Sequence, residues 1–220
     1  KISDYLDRRD PEFDSKMVQV LHVYKQVSMI KDNSADDLSS VYLSYDEKPG
    51  IQAISNIAPD LPPVPGKHPT VSRDYEYKRH GTVSFLAGID LVTGHVHHMV
   101  TDRHRSLEFV TFLRLLDICY PDDVTIRIVL DNHSAHVSKE TRLYLSSVPN
   151  RFDFIFTPKH GSWLNIIESF FAKMAKTFLR GIRVNSKDEL KDRITNWEGE
   201  IKAFPVVFNW KYGLDSLNEL

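Results

Sequence analysis

Three acidic residues stand where elements of regular structure should end or begin. Asp46 closes the β-rich run VYLSYDEKPG, Asp131 follows TIRIVL directly, and Glu168 lies one turn into a helical stretch that opens at Ser162. Carboxylates delivered from three separate elements can share one or two Mg²⁺ ions, because this hard cation takes oxygen ligands and completes its shell with water and substrate phosphate. Two such ions, roughly 4 Å apart, activate an attacking oxygen and stabilise a leaving one, so phosphate chemistry here needs no obligatory general base. Each acid alone has a plainer reading: Asp131 as a cap or turn residue, Asp46 as a solvated strand end, Glu168 as a surface acid near a helix N-terminus. Glu168 shifts the balance, because it borders the stripe Leu164, Ile167 and Phe171, where an acid is costly unless paired or metal-bound.

The elements that must position these acids follow from periodicity. Met17, Val20, Leu21, Tyr24 and Val27 recur at helical steps and predict a helix of about four turns from Asp14. VYLSYDEKPG predicts a strand stopped by Pro49-Gly50, and PDLPPVPGKHP, with five prolines in eleven positions, predicts an extended loop unable to pair. TVSFLAGIDLVTGHVHHMV predicts a hairpin turning at Asp90 to Gly94, and Ser106 to Cys119 a helix that Pro121 stops. After the strand TIRIVL come a helix capped by Ser138, the short strand FDFIF, a long helix from Ser162 through Phe178, and a helix capped by Ser186 with Glu189. The order is that of an α/β fold with a mixed sheet flanked by helices.

Composition sets further bounds. The 220 residues, 41% hydrophobic and 26% charged, suffice for one sizeable core and at most two small domains. No run approaches the roughly 18 apolar residues of a membrane helix, and KISDYLDRRDPEF lacks the apolar centre of a signal peptide, so no membrane partner and an intracellular location are expected. The single cysteine, Cys119, excludes an internal disulfide and a cysteine-based zinc site, and its apolar neighbours predict a buried thiol. A net charge of −2 argues against a nucleic-acid partner until charge is read locally. RDYEYKRH, RHR and KMAKTFLRGIR are basic, whereas acids concentrate in the first 60 residues.

At this point the residues match a family pattern. VLDNHSAH and FTPKHGSWLNIIESFFAKMAKTFLRG resemble the second and third catalytic blocks of mariner-like DDE transposases, the bacterial insertion-sequence branch in particular, and VYLSYDEKPG resembles the first. The 36 residues between Asp131 and Glu168 (168 − 131 − 1) fall in that branch's range, and the resemblance covers residues 40–185. It implies an RNase H-like catalytic domain over 36–205, with a Pro-rich loop insertion at 50–72 and a C-terminal tail at 206–220. Residues 1–35 would be a linker and helix following a helix-turn-helix DNA-binding region. It further implies that Asp46, Asp131 and Glu168 ligate Mg²⁺ or Mn²⁺, two ions in all. The enzyme would cleave double-stranded DNA at terminal inverted repeats and transfer the 3′-hydroxyl into target DNA. A homodimer formed through the Pro-rich loop and a place on the nucleoid in a bacterial cytoplasm would follow.

The neighbouring residues take lesser roles. Glu47 can ligate in place of Asp46, but adjacent strand residues point to opposite faces, and Asp46 is chosen. His133 and His136 suggest a zinc pair; lacking further ligands in a plausible arrangement, they are read with Asn132 as supports behind Asp131 or phosphate contacts. Lys159, His160, Trp163, Asn165, Lys173, Lys176 and Arg180 are the candidate DNA contacts, Trp163 by stacking on an unpaired base. Two alternatives stay open: a domesticated relative that binds DNA without cutting, and a general RNase H-like nuclease.

Overall fold

Strand periodicity places five segments side by side in the computed structural model, which describes residues 10–32 and 39–203. They are β1 (Ser40–Asn56), β2 (Tyr77–Asp90), β3 (Val96–Thr101), β4 (Thr125–Leu130) and β5 (Phe152–Phe156), in the order β3-β2-β1-β4-β5. The β1–β2 and β2–β3 pairs are antiparallel, and β1–β4 and β4–β5 are parallel. Parallel neighbours need crossovers, and the helices α2 (Ser106–Cys119) and α3 (Lys139–Ser147) supply them. Helices α1 (Phe13–Lys31), α4 (Ile167–Met174) and α5 (Lys187–Ala203) complete the fold. Among the described residues, no helix is long and apolar enough to cross a membrane.

Alternation along β1 sorts the layers. Leu43 and Tyr45 point to one face, where they pack with Phe109, Phe112, Leu113 and Leu116 of α2 and with Ile126, Ile128 and Leu130 of β4. Tyr42 points to the other face, against Met17, Val20, Leu21 and Val27 of α1. Further along, Ile51 and Ala53 join Val83, Phe85 and Ala87 of β2 under α4 and α5. Burying a large apolar side chain contributes about 1.5–3 kcal/mol, so these clusters hold the helices to the sheet.

Five sequence expectations need correction. Pro49-Gly50 does not end β1 but forms a bulge in it: the register shifts between Lys48 and Ile51, Gly50 adopts φ +69°, and the strand continues to Asn56. A bulge is where a strand tolerates a residue without an N–H. The loop insertion therefore spans 57–76 rather than 50–72. Its proline-rich part also pairs with itself, because the amides of Leu61, Val64 and His68 between the prolines, and of Ser72 after them, are free to bond Leu61 to Ser72 and Val64 to His68. Cys119 is exposed at the end of α2, not buried.

The long helix is also interrupted. A 3₁₀ turn, Ser162–Leu164, gives way at Asn165 to extended backbone (φ −89°, ψ 107°) before α4 begins, and a π-helical turn, Ala175–Leu179, follows α4. The tail at 206–220 and the first nine residues lie outside the described residues.

The turn from β5 into this region leaves no room for a side chain at Gly161. A Cβ there would lie 2.7 Å from Pro158 Cγ and 3.0 Å from the Pro158 carbonyl oxygen, while the Gly161 amide bonds that same carbonyl. Gly161→Ala should destabilise the protein by about 1–3 kcal/mol, the usual cost of overpacking, as measured by urea unfolding.

Candidate active site

Strand register brings the first two acids together. The parallel pairing of β1 and β4 runs from Ser40 with Thr125 to Ser44 with Val129, so two residues later Asp46, midway along β1, stands level with Asp131, just past the C-terminal end of β4. In open α/β sheets ligands bind at the C-terminal edge of the parallel strands. Strand alternation sends Asp46 toward the α4 side and Glu47 toward α2, where Glu47 meets Tyr45 and His136.

Glu168 reaches the same edge through a buried polar clamp. The Ser44 hydroxyl donates to Asn165 Oδ1 and accepts from the Ile167 amide at 3.0 Å, and Asn165 Nδ2 donates to the Tyr45 carbonyl at 2.9 Å. From α1, the Tyr24 hydroxyl donates to the Leu164 carbonyl and accepts from the Ile166 amide. Burial pushes the Tyr24 phenol far above its ordinary range, so it keeps its proton. The start of α4 is thereby tied to β1 by the residues directly preceding Asp46.

The acids differ in proton affinity. Burial, then the charges of Asp131, Glu47 and Glu168, push Asp46 up to about 7, against the opposing pull of its hydrogen bond from the Glu47 amide. At Asp131 burial also favours the proton, but a hydrogen bond from His136 and one of 2.9 Å from the His133 amide win, and its pKa falls below the ordinary carboxylate value. His136 is fully buried; burial lowers its pKa, yet Asp131 on one nitrogen and Glu47 on the other raise it to about 9. Its Nδ1 lies 3.2 Å from Asp131 Oδ1 and its Nε2 3.1 Å from Glu47 Oε1.

The remaining candidates scatter in role. Asn132 donates to the Thr157 carbonyl and so joins the ends of β4 and β5. Lys159, His160 and Trp163 are exposed, and Lys159 and His160 line a depression of about 350 Å³ beside Asp131, Asn132 and His133. Lys176 and Arg180 are exposed and Lys173 half-buried further along α4 and its π turn. Asn165, expected to contact DNA, is instead 1% exposed, and its amide is engaged within the fold. Glu168 is exposed, so no burial cost marks it out; its placement comes from the clamp. The three acids are spaced more widely than Glu47, His133 and His136, the one trio of histidines and acids among the described residues whose ligand atoms all lie within 4.8 Å. Sequence reasoning missed Ser44 and Tyr24, which look like ordinary strand and helix residues, and it missed what Glu47 meets.

Mixed parallel and antiparallel strands in this order, with helices on both faces and one acid on β1 level with another just past β4, define an RNase H-like domain. The chain belongs to the DDE superfamily endonuclease family, whose profile matches residues 50–191. That stretch contains Asp131 and Glu168, and Asp46 precedes it by four residues (50 − 46). An uncharacterized 39 kDa protein of insertion element IS630 from Shigella sonnei is 28% identical over 131 residues, covering 59% of this chain and 37% of that protein. The Mos1 mariner paired-end complex with Mn aligns over 91% of this chain and 59% of its own, at 15% identity and a TM-score of 0.57. The Mos1 catalytic domain with raltegravir and Mg aligns over 98% of this chain and 93% of its own, at 16% identity and a TM-score of 0.57. The chain thus spans well under two thirds of the IS630 protein and of the Mos1 chain in the paired-end complex.

Two outcomes test this geometry. Asn165→Leu strands the Ser44 hydroxyl and the Tyr45 carbonyl, at about 1–3 kcal/mol for each buried unpaired group, and urea unfolding should register the loss. Asp46 carries the opposite sign. A carboxyl whose folded pKa is raised stabilises the fold below its unfolded pKa of about 3.9, and that contribution is lost as pH rises through about 7. In chelator, Asp46→Asn should therefore be more stable than wild type by about 2–4 kcal/mol at pH 8, at about 1.4 kcal/mol per pKa unit, with the gain vanishing toward pH 4 in thermal unfolding.

Proposed function

We propose that this chain carries the catalytic domain of a transposase. It would cut double-stranded DNA at the terminal inverted repeats of its element and join the freed 3′-hydroxyl to target DNA. What supports the proposal is the register that sets Asp46 level with Asp131 and the clamp that ties the start of α4, and with it Glu168, to β1. The relatives point the same way: the IS630 protein belongs to an insertion element, and the Mos1 structures are a paired-end complex with Mn and a catalytic domain with Mg.

The donor set suits a hard divalent cation. All three side chains offer carboxylate oxygens, the hydrogen bonds to Asp131 fall on Oδ1 and leave Oδ2 for a cation, and an acid crowded by like charge is one that a cation relieves. Asp46, Asp131 and Glu168 would hold Mg²⁺ or Mn²⁺, two ions in all, whose chemistry is activation of the attacking oxygen and stabilisation of the leaving one. The chain's own residues prepare this place. His136 and the His133 amide orient Asp131, and the clamp on Asn165 orients Glu168. Lys159 and His160, at the mouth of the depression, are set to meet phosphate, and exposed Trp163 offers a stacking face.

The wider organisation follows the same reading. Residues 36–205 would form the catalytic domain, preceded by a linker and helix from a DNA-reading module and followed by a tail. The loop at 57–76 exposes Ile57, Leu61, Val64, Val71 and Tyr75, an apolar row suited to a second subunit on paired DNA ends. The protein would act on the nucleoid of a bacterial cytoplasm.

With Mg²⁺ or Mn²⁺, the full-length protein should nick DNA bearing its own terminal repeats. Asp46→Asn, Asp131→Asn and Glu168→Gln should each reduce nicking by more than about 100-fold, since metal-held charge stabilisation is worth several kcal/mol, with circular dichroism unchanged. A variant that nicks at the wild-type rate removes that residue from the site.

A further inference from the structure

On the side of Asp131 away from Asp46, a second cluster has different chemistry. Ligand atoms of Glu47, His133 and His136 all lie within 4.8 Å of one another. His136 Nε2 and Glu47 Oε1 are 3.1 Å apart, near the roughly 3.3 Å edge of a tetrahedron whose N and O ligands stand about 2.0–2.1 Å from zinc. His136 turns its other nitrogen, Nδ1, to the Asp131 carbonyl at 3.0 Å and carboxylate at 3.2 Å. That is how a ligating imidazole is held in one tautomer with its far nitrogen directed at a metal. Glu47 is steadied by the Tyr45 hydroxyl at 2.8 Å.

His133 supplies the independent sign. Its Nδ1 is buried and has no hydrogen-bond partner among the described residues, a state that costs about 1–3 kcal/mol and calls for a missing ligand or ion. The Glu47 and His136 side chains are 7% and 0% exposed, so water does not dilute what a cation would gain there.

We propose that Glu47, His133 and His136 form a binding site for a divalent transition-metal ion of the Zn²⁺ class, with a fourth position open to water. Two imidazoles and one carboxylate favour such borderline ions over Mg²⁺, which keeps to oxygen ligands. The ion takes the place of the hydrogen bond between Nε2 and Oε1, and a proton carried there leaves to solvent. Occupancy ties the segment carrying Asp131 to β1 through Glu47, next to the catalytic acids but apart from them.

The test uses Co²⁺ alone as the probe, added to the metal-free protein in excess Mg²⁺, with visible ligand-field absorption as the readout. One Co²⁺ should bind with a four-coordinate spectrum and be displaced by Zn²⁺. His133→Ala and Glu47→Gln should each weaken binding by more than about 100-fold, beyond the 10–100-fold of losing a ligand's supporting partner. Asp46→Asn and Glu168→Gln should leave it intact. Melting curves without metal confirm that the variants are folded, and Glu47→Gln keeps the shape of the site if His133→Ala does not fold. The proposal is overturned if wild type shows no such spectrum, if a folded ligand variant binds as wild type does, or if the band vanishes with Asp46→Asn. None of these outcomes depends on DNA cleavage, so the site stands or falls separately from the transposase reading.

Discussion

The position of the third acid rests on one buried amide. Apolar packing decides which side of α4 faces the sheet, but it is non-directional and permits sliding; hydrogen bonds fix register. Asn165 spends its side chain on Ser44 and the Tyr45 carbonyl, the two residues immediately before Asp46 in β1. It also takes extended backbone, which ends the 3₁₀ turn and lets α4 start afresh at Ile167. Tyr24 holds the flanking Leu164 and Ile166, so α1 participates in placing Glu168 although it lies far from it in sequence. Each group in this network has a partner, the condition under which buried polar contacts specify a single arrangement.

Two neighbouring carboxylates meet opposite electrostatic surroundings. Asp131 receives a histidine and a backbone amide and holds its proton weakly, whereas Asp46, more deeply buried and within reach of the charges of three other acids, holds it more tightly. Environment alone separates the two, as it does wherever paired acids share a site. Like charge crowded around Asp46 raises its affinity for a proton, and a divalent cation is a counter-charge suited to such a cluster.

Much of the scaffold is legible because it is periodic. The steps in α1, the apolar run of β4, the Ser138 cap and the Asp90 to Gly94 turn are local signals, and each element lies where its signal falls. What local signals hide is long-range partnership. Asn165 reads as an exposed polar residue because its acceptor, the Tyr45 carbonyl, is 120 residues away in sequence. Pro49-Gly50 reads as a stop because propensity cannot anticipate that β2 continues alongside and absorbs the bulge. Glu168 reads in sequence as a costly acid on a packed stripe, yet it is exposed, and what positions it is the clamp preceding α4. The modest net charge hides local use as well: Arg73 ties Asp60 to the Gly181 carbonyl, so part of one basic run fastens the loop at 57–76 and does not face solvent freely.

The pair Asp46-Glu47 shows how much one strand position decides. A period of two sends consecutive acids to opposite faces, so the same dipeptide feeds an all-carboxylate cluster on the α4 side and a histidine-rich pocket on the α2 side. Opposite faces leave only one of the two acids with the carboxylate cluster, but they do not leave the other idle. The fold gives Glu47 two partners, the Tyr45 hydroxyl and His136, and through His136 a line to Asp131. A third acid or imidazole atom beside His133 and His136 comes from Glu47, 86 residues upstream of His133 (133 − 47), on the face of β1 opposite Asp46. A change at Glu47 therefore acts on Asp131 from behind, through a buried imidazole that meets Oδ1 and not Oδ2.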